Sequence, residues 1–408
     1  MSRPADADWA FRADDEAVLK ALADGNHRSS LSEYFGARAY AELSLLAIAA
    51  KKSPKPAGPR VLVLPGIMGS KIGRGASGVL WIDPLQVTAG HLTDLSLPKG
   101  ADLRAMGVLL FSYTKLKLQL RIHGYDASFH PYDWRLGLDE LGAELAARIS
   151  AADKPVNLVA HSMGGLVARA AMRMLPKRLV RKLIMLGTPN GGSFASVQTL
   201  RATYPFMRKM AALDRRHSAE NLASKVFATF PGLYQMLPAT TARRLNLFDP
   251  AAWPPHGPQP DAQLLTQAAA ARKCLAPVDS RMIHVIGVDR ETVVGVRRRA
   301  AGFEYAVSKN GDGTVPLISA RRPRLRCYFV AELHGNLANN SQVIRAVLDL
   351  LRSGRTHDLP AHWRARRTAV RRIDDRQLRM GGGEKIDWRR ITAAQRDALL
   401  AELDASRA

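Results

Sequence analysis

The segment that decides the fold is Val156–Gly165, read as VNLVAHSMGG. Residues of strand character lead into a tight turn centred on Ser162, and an apolar helical run follows. This arrangement is typical of a nucleophile elbow, in which the residues two before and two after the serine are small, as Ala160 and Gly164 are here. It predicts a nucleophilic serine, with the backbone N–H of Met163 directed at the reacting centre. The alternative is an ordinary strand–turn–helix with a buried serine.

A second informative stretch is Arg60–Ser70, RVLVLPGIMGS. Its continuous apolar run is typical of a buried parallel strand, and the glycines that follow allow backbone to approach a substrate closely. Enzymes with a nucleophile elbow take a second oxyanion donor from such a loop. We assign that role to the N–H of Ile67, with Met163 as its partner; a plain glycine-rich turn is the alternative.

A serine hydroxyl needs a base to remove its proton and an acid to orient that base. In chains with an elbow the order is serine, then acid, then histidine, and Ser162, Asp312 and His334 follow it. Each stands at the end of a strand-like run. Asp312 lies between two glycines in NGDGTVPLI, and His334 precedes Gly335 after the strand at 327–330. These three residues are the predicted catalytic group.

Several other residues compete for these roles. Asp289 directly follows the apolar strand MIHVIGV and is the main alternative acid. His161 adjoins the serine, but the elbow turns its side chain away, and His284 lies in the middle of a strand. His357 and His362 lie beyond the last strand. We interpret His161 as structural and His284 as a core residue, and we expect neither His357 nor His362 to reach the site.

Residues between and after these motifs predict the surroundings of the site. Asp133 and Arg135, in YDWR, either contact a ligand or form a structural ion pair, and we favour the ion pair. From about 194 to 277 the alternation of strands and helices stops, and the segment is rich in methionine and aromatic residues. We expect this insertion to form a cap whose apolar residues mostly pack the cap itself and could also contact acyl chains.

The motifs together resemble those of the lecithin:cholesterol acyltransferase-like family, which includes phospholipid:diacylglycerol acyltransferases and the lysosomal phospholipase A2. The matching stretches are LPGIMGS (64–70), YDWR (132–135), AHSMGG (160–165), LGTPNGG (186–192), GDGTVP (311–316) and HGNL (334–337). The resemblance covers roughly residues 60–350. It implies an α/β-hydrolase fold, Ser162 as the acyl-enzyme nucleophile with Asp312 and His334 as partners, and Ile67 with Met163 as oxyanion donors.

Composition limits the remaining choices. The chain has 408 residues and a formal net charge of +24, which suits an anionic membrane surface or a polyanion as partner. No nucleic-acid module is recognisable, so we expect no nucleic-acid partner. No metal-ligand spacing or phosphate-binding loop occurs, so we expect neither metal nor cofactor. Two cysteines and the absence of a recognisable signal peptide favour a cytoplasmic location, with peripheral membrane contact as an extension of it.

These observations predict an α/β-hydrolase domain at 56–352, with a mostly parallel sheet, helices on both faces and a cap at about 194–277. A helical N-terminal extension and linker (1–55) precede it, and a loosely attached basic C-terminal extension (353–408) follows. The predicted function is that of a serine esterase or lipase-like acyl hydrolase, or an O-acyltransferase, acting on a lipid or other ester. The alternative is a non-catalytic basic protein that binds membranes or polyanions on a hydrolase scaffold.

Overall fold

A computed structural model describes residues 9–53, 58–75, 78–152, 154–239, 245–364, 369–380 and 385–386. The strands are β1 (Arg60–Leu64), β2 (Ser70–Arg74), β3 (Gly78–Trp81), β4 (Arg104–Val108), β5 (Asp126–Phe129), β6 (Val156–His161), β7 (Val180–Leu186), β8 (Met282–Gly287), β9 (Thr292–Arg299), β10 (Gly302–Ser308), β11 (Arg326–Val330) and β12 (Arg371–Asp374).

The α-helices are α1 (Trp9–Arg12), α2 (Asp15–Asp24), α3 (Arg28–Phe35), α4 (Ala37–Lys52), α5 (Pro84–Thr88), α6 (Leu110–Ile122), α7 (Leu138–Ala152), α8 (Met163–Met174), α9 (Phe194–Leu200), α10 (Pro205–Leu213), α11 (Ala219–Lys225), α12 (Pro231–Gln235), α13 (Ala262–Ala271), α14 (Leu317–Ala320), α15 (Ser341–Ser353) and α16 (Asp375–Met380). Short 3₁₀ segments occur at His91–Leu95, Lys177–Leu179, Phe227–Thr229, Pro250–Ala252, Arg272–Cys274 and His334–Asn336.

The central sheet has six parallel strands in the order β11-β8-β7-β6-β1-β5. β6 and β8 are buried at every position, as expected for strands covered on both faces. Helices flank the sheet on both faces, with α7 packed on α8 so closely that Gly142 leaves no room for a side chain against Ala170. The α/β-hydrolase fold predicted from the sequence is confirmed. Two small antiparallel sheets, β3-β2-β4 and β12-β10-β9, accompany it.

The stretch between β7 and β8 carries the helices α9 to α13, where the sequence predicts the cap. Most of its aromatic and methionine side chains are buried, including Met210, Phe227, Phe230 and Tyr234. They belong to the same apolar cluster as the central sheet. This segment, the helical insertion, is therefore packed on the hydrolase core through a continuous apolar interior.

The N-terminal helices are joined to that core as well. Phe11, Val18 and Leu22 are buried in the central cluster. Asp15 accepts a hydrogen bond from the Val108 N–H (2.9 Å) and pairs with the Lys71 ammonium at 2.9 Å. The segment predicted as an extension thus covers β4 and supplies a buried carboxylate to it.

The C-terminal segment corrects the expectation of a loosely attached tail. β12 pairs with β10, and the Asp375 carboxylate that follows is 2% exposed and bound to the fully buried Arg201 at 2.9 Å. Further on, the Lys385 ammonium contacts three backbone carbonyls near the end of α10. The sequence does not predict this docking because its partners are remote: 64 to 70 positions for the strand pairing and 168 to 174 for the Arg201 and Lys385 contacts. Residues 365–368, 381–384 and 387–408 of the predicted extension lie outside the described residues.

Both cysteines, Cys274 and Cys327, are free. Within the described ranges, none of the helices has the length and apolar character needed to cross a lipid bilayer.

Candidate active site

The turn after β6 has the strained geometry of a nucleophile elbow. Ser162 has φ 51° and ψ −123°, which places a non-glycine residue in a sparsely populated backbone region, and α8 begins at the next residue. A side-chain carbon at Gly164 would lie 2.4 Å from the Pro65 carbonyl oxygen. Glycine is therefore required at this position because the loop after β1 approaches the elbow here.

Three side chains far apart in sequence meet at this turn. The Nε2 atom of His334 lies 2.8 Å from the Ser162 hydroxyl oxygen, and its Nδ1 atom lies 2.8 Å from an oxygen of Asp312. All three residues are buried, with Asp312 only 1% exposed. The other Asp312 oxygen accepts the backbone N–H groups of Thr314 and Val315 at 3.0 and 2.7 Å. The carboxylate is thus held in one orientation by two donors while it binds the imidazole.

This geometry defines the proton arrangement of the histidine. A carboxylate only accepts hydrogen bonds, so Nδ1 of His334 donates to Asp312. In the neutral ring Nε2 then lacks a proton and accepts from the Ser162 hydroxyl. The histidine is therefore in the tautomer that can remove the serine proton. The His334 N–H also donates to the Asp312 carbonyl oxygen at 2.8 Å, which fixes the two loops to each other.

Asp312 follows a strand, as expected, but that strand lies outside the central sheet. It does not end a strand of the central sheet: the preceding strand, β10, belongs to the β12-β10-β9 sheet. A backbone bridge between Asp312 and Arg290 brings its loop to the end of β8 instead. Asp289, the competing acid, precedes Arg290 with φ 59°, and the carboxylate that contacts His334 is that of Asp312.

The loop after β1, Pro65–Gly69, stands beside the elbow as predicted. Its turn is closed by a hydrogen bond from the Gly69 N–H to the Gly66 carbonyl, and Met68 has φ 61°. Ile67 lines the cavity in front of Ser162. Within the described part of the chain, neither the Ile67 N–H nor the Met163 N–H, the first of α8, has a hydrogen-bond acceptor. Both amides are thus available to an oxygen atom of a ligand.

Side chains of the YDWR motif hold this loop in place by hydrogen bonds. The sequence did not predict this role for Tyr132 and Trp134. The Tyr132 hydroxyl donates to the Pro65 carbonyl at 2.8 Å, and the Trp134 indole donates to the Ser70 carbonyl at 3.1 Å. Arg135 is fully buried and forms the expected structural pair with Asp133 at 2.6 Å. The same guanidinium donates to backbone carbonyls at Leu95, Gly100 and Leu103, between β3 and β4. The motif therefore holds two segments next to the site: the loop after β1 and the segment between β3 and β4.

The four competing histidines do not hydrogen-bond to Ser162 Oγ. His284 is fully buried and its Nε2 accepts the Thr188 N–H at 2.9 Å. His161 is buried at the wall of the cavity beside Ser162, with its Nε2 2.9 Å from the His334 carbonyl oxygen. Burial lowers the pKa of each of these two to about 3, so both are neutral at ordinary pH. His357 and His362 are exposed on the surface.

A cavity of about 140 Å³ opens in front of Ser162 and His334. Its walls are mostly apolar and come from the loops around β3 and from the helical insertion; they include Trp81, Ile82, Tyr204, Phe206, Leu233 and Met236. An engineered cavity of about 150 Å³ with apolar walls binds benzene. The cavity thus suits a small apolar group placed next to the serine hydroxyl.

Comparison with known proteins identifies a related family over part of the chain. Residues 102–269 match the family model described as lecithin:cholesterol acyltransferase, which confirms the resemblance seen in the motifs. The matched range contains Ser162 and the YDWR motif, whereas Asp312 and His334 lie beyond it. No curated protein matches the sequence.

Solved structures are similar to this chain at low sequence identity. A chain in the crystal structure of the Tle4–Tli4 complex is 13% identical with a TM-score of 0.50, over 76% of this chain and 100% of that one. Bacillus licheniformis lipase BlEst2 is 16% identical over 74% of this chain. Its propeptide form gives a TM-score of 0.39 with 51% of that chain covered, and its mature form 0.38 with 94%.

Proposed function

We propose that this protein is a serine acyl hydrolase or O-acyltransferase that acts on a lipid or other ester through Ser162, His334 and Asp312. The observation that carries the proposal is the continuous hydrogen-bond chain from Asp312 through His334 to the Ser162 hydroxyl at the wall of an apolar cavity. A structural serine has no need of an elbow conformation, a base in the accepting tautomer and a buried carboxylate together.

The reaction begins with attack of the Ser162 oxygen on the ester carbonyl while His334 Nε2 takes the hydroxyl proton. Asp312 stabilises the imidazolium that forms. The oxygen of the tetrahedral intermediate receives hydrogen bonds from the N–H groups of Ile67 and Met163, and such donors each contribute about 10²–10³ in rate. The imidazolium then protonates the departing alcohol, and the acyl group remains on Ser162.

The acceptor of that acyl group decides between hydrolysis and transfer. Water gives hydrolysis; an alcohol that excludes water from the cavity gives transfer. The apolar walls supplied by Phe206, Leu233 and Met236 favour an acyl or other apolar substituent beside the serine. These walls support an ester with an apolar group as the substrate. They do not indicate whether water or an alcohol accepts the acyl group.

The positive charge of the chain supports a second part of the proposal, that the protein binds an anionic membrane surface. Lysine and arginine outnumber acidic residues by 60 to 36, and this excess attracts an anionic membrane surface on which lipid esters lie. A cytoplasmic location with peripheral membrane contact is the setting we propose.

The test is labelling with a fluorophosphonate together with turnover of p-nitrophenyl butyrate. We expect Ser162→Ala to lose both, while Ser128→Ala, on β5, keeps both. Persistent labelling of Ser162→Ala would overturn the assignment of the nucleophile. Salt-sensitive binding to anionic vesicles by a wild-type protein without any ester turnover would instead favour the non-catalytic alternative.

A second measurement identifies the acceptor. Radiolabelled phospholipid is incubated with the enzyme in the presence and absence of a long-chain alcohol. Free fatty acid as the main product in both conditions indicates a hydrolase, and a new ester that appears only with the alcohol indicates an acyltransferase.

A further inference from the structure

A second, buried pair of side chains, Tyr113 and His161, lies beside the proposed catalytic group and borders the same cavity. Tyr113 is 3% exposed and comes from α6, whereas His161 is 7% exposed and ends β6. The His161 ring lies 4.9 Å from the His334 ring and 5.9 Å from the Tyr113 ring, measured between centroids. The proposed mechanism uses neither residue.

Three hydrogen bonds connect this pair to both sides of the site. The Gly66 N–H donates to the Tyr113 hydroxyl at 2.9 Å, and that hydroxyl lies 3.0 Å from His161 Nδ1. His161 Nε2 lies 2.9 Å from the carbonyl oxygen of His334. The chain therefore runs from the loop after β1 to the backbone of the catalytic base.

The direction of each bond follows from elementary chemistry. A carbonyl oxygen only accepts, so Nε2 of His161 carries the proton. Burial lowers the pKa of His161 to about 3, so the ring is neutral and its Nδ1 accepts the Tyr113 O–H. The Tyr113 oxygen in turn accepts from Gly66. Neither side chain moves a proton to or from Ser162 in this arrangement.

The loop is packed tightly on the pair. A side-chain carbon at Gly66 would lie 3.1 Å from His161 Nδ1, and one at Gly69 would lie 2.9 Å from the Tyr113 hydroxyl oxygen. A side chain at Gly69 would therefore clash with the Tyr113 hydroxyl, and one at Gly66 would crowd His161 as well as Ser162. Gly66 immediately precedes Ile67, so the bond that anchors the Gly66 amide also limits the orientation of the next peptide, which carries the proposed oxyanion donor.

We infer that Tyr113 and His161 are positioning residues that hold the Ile67 amide and His334 in register for the transition state. This inference rests on the proposed function and names how the oxyanion site is kept in place. Its consequence is specific: losing the link should weaken binding of the tetrahedral intermediate while leaving binding of the ground-state ester nearly unchanged.

The central experiment replaces Tyr113 by phenylalanine, which keeps the ring and removes the hydroxyl. We expect kcat for p-nitrophenyl butyrate to fall about tenfold, a fraction of the effect of losing a whole oxyanion donor, while KM stays within about twofold. The affinity of an alkyl trifluoromethyl ketone, which forms a tetrahedral adduct with the serine, should fall by the same factor as kcat/KM.

Two replacements of His161 test its two hydrogen bonds one at a time. His161→Gln can retain a donor towards the His334 carbonyl but loses the acceptor for Tyr113, whereas His161→Asn can retain that acceptor and loses the donor. We expect Tyr113→Phe and His161→Gln together to cost little more than either alone, because they break the same link. His161→Asn combined with Tyr113→Phe should cost more than either single change.

Tyr234→Phe is the matched control, since it removes a buried hydroxyl that also makes two hydrogen bonds, to Ala228 and from Asp261. It should lower the melting temperature without changing kcat. Rates are expressed per active site by fluorophosphonate titration, so misfolded protein does not count.

Unchanged kcat and ketone affinity in folded Tyr113→Phe would overturn the inference, and so would a fall in kcat matched by that of Tyr234→Phe. The proposed function fails separately, when the wild type shows no turnover that depends on Ser162.

Discussion

Replacing Asp312 by asparagine tests the proposed mechanism at its most buried point. The carboxylate is 1% exposed, and one of its oxygens accepts the Thr314 and Val315 N–H groups at 3.0 and 2.7 Å. An asparagine carbonyl can keep both of these bonds. Its NH₂ group then faces His334 Nδ1, where the carboxylate oxygen lay at 2.8 Å.

An NH₂ group only donates, so it favours an unprotonated Nδ1 and moves the ring proton to Nε2. His334 then presents a proton to the Ser162 hydroxyl and cannot accept one. The equivalent exchange in a serine protease lowers kcat about 10⁴-fold through the wrong tautomer. We expect a loss of that order here, or about 5 kcal/mol of transition-state stabilisation.

The assay is the initial rate of p-nitrophenyl butyrate hydrolysis, with folding of each variant checked by circular dichroism. Asp289→Asn is the control, because Asp289 follows the neighbouring strand and was the competing candidate for the acid. It should keep its rate within about twofold. An Asp312→Asn enzyme with more than about a tenth of wild-type activity, or a large loss in Asp289→Asn, would refute the assigned role of Asp312.

Two further predictions concern the cavity and the buried histidines. Leu233→Ala removes part of the cavity wall, so the ratio of kcat/KM for p-nitrophenyl octanoate to that for butyrate should rise about tenfold, and an unchanged ratio would place the acyl group elsewhere. Burial lowers the pKa of His130, His161 and His284 to about 3 from an ordinary value of 6.5. Between these values the unfolded chain binds more protons, so the free energy of unfolding should fall by about 1.4 kcal/mol per pH unit for each histidine as pH decreases. Equal urea midpoints at pH 7.5 and pH 5 would contradict this.

The parts of the site that sequence could predict are those whose chemistry is local. An elbow needs small residues at fixed positions around Ser162, and a donor loop needs glycine next to Ile67, so a short stretch of sequence carries the signal. The order of Ser162, Asp312 and His334 adds a further constraint, but Asp289 satisfies the same order, and Asp312 was preferred for its turn between two glycines and for the family resemblance. The structure brings these three together, within 2.8 Å at each contact.

What sequence did not predict depends on partners remote in the chain. Asp312 was expected at the end of a strand-like run, and the sequence did not show that this strand belongs to a separate small sheet or that a backbone bridge carries its loop to β8. The arginine-rich segment Arg371–Asp374 has the composition of an exposed tail. Its strand pairing and the buried Asp375–Arg201 contact become visible only in three dimensions, since 174 positions separate that acid from its partner.

The loop that carries Ile67 was predicted from the sequence, but the contacts that hold it in place were not. Sequence identified the loop by its glycines, yet its position depends on two tyrosine hydroxyls from different elements. Tyr132 donates to the Pro65 carbonyl, and Tyr113 accepts from the Gly66 amide. Both tyrosines are buried, so water cannot easily replace either bond, and the Pro65–Gly66 peptide is held at both its oxygen and its nitrogen. An oxyanion donor fixed in this way needs little reorganisation when charge develops on the substrate, and that is the condition under which a backbone amide accelerates acyl transfer most.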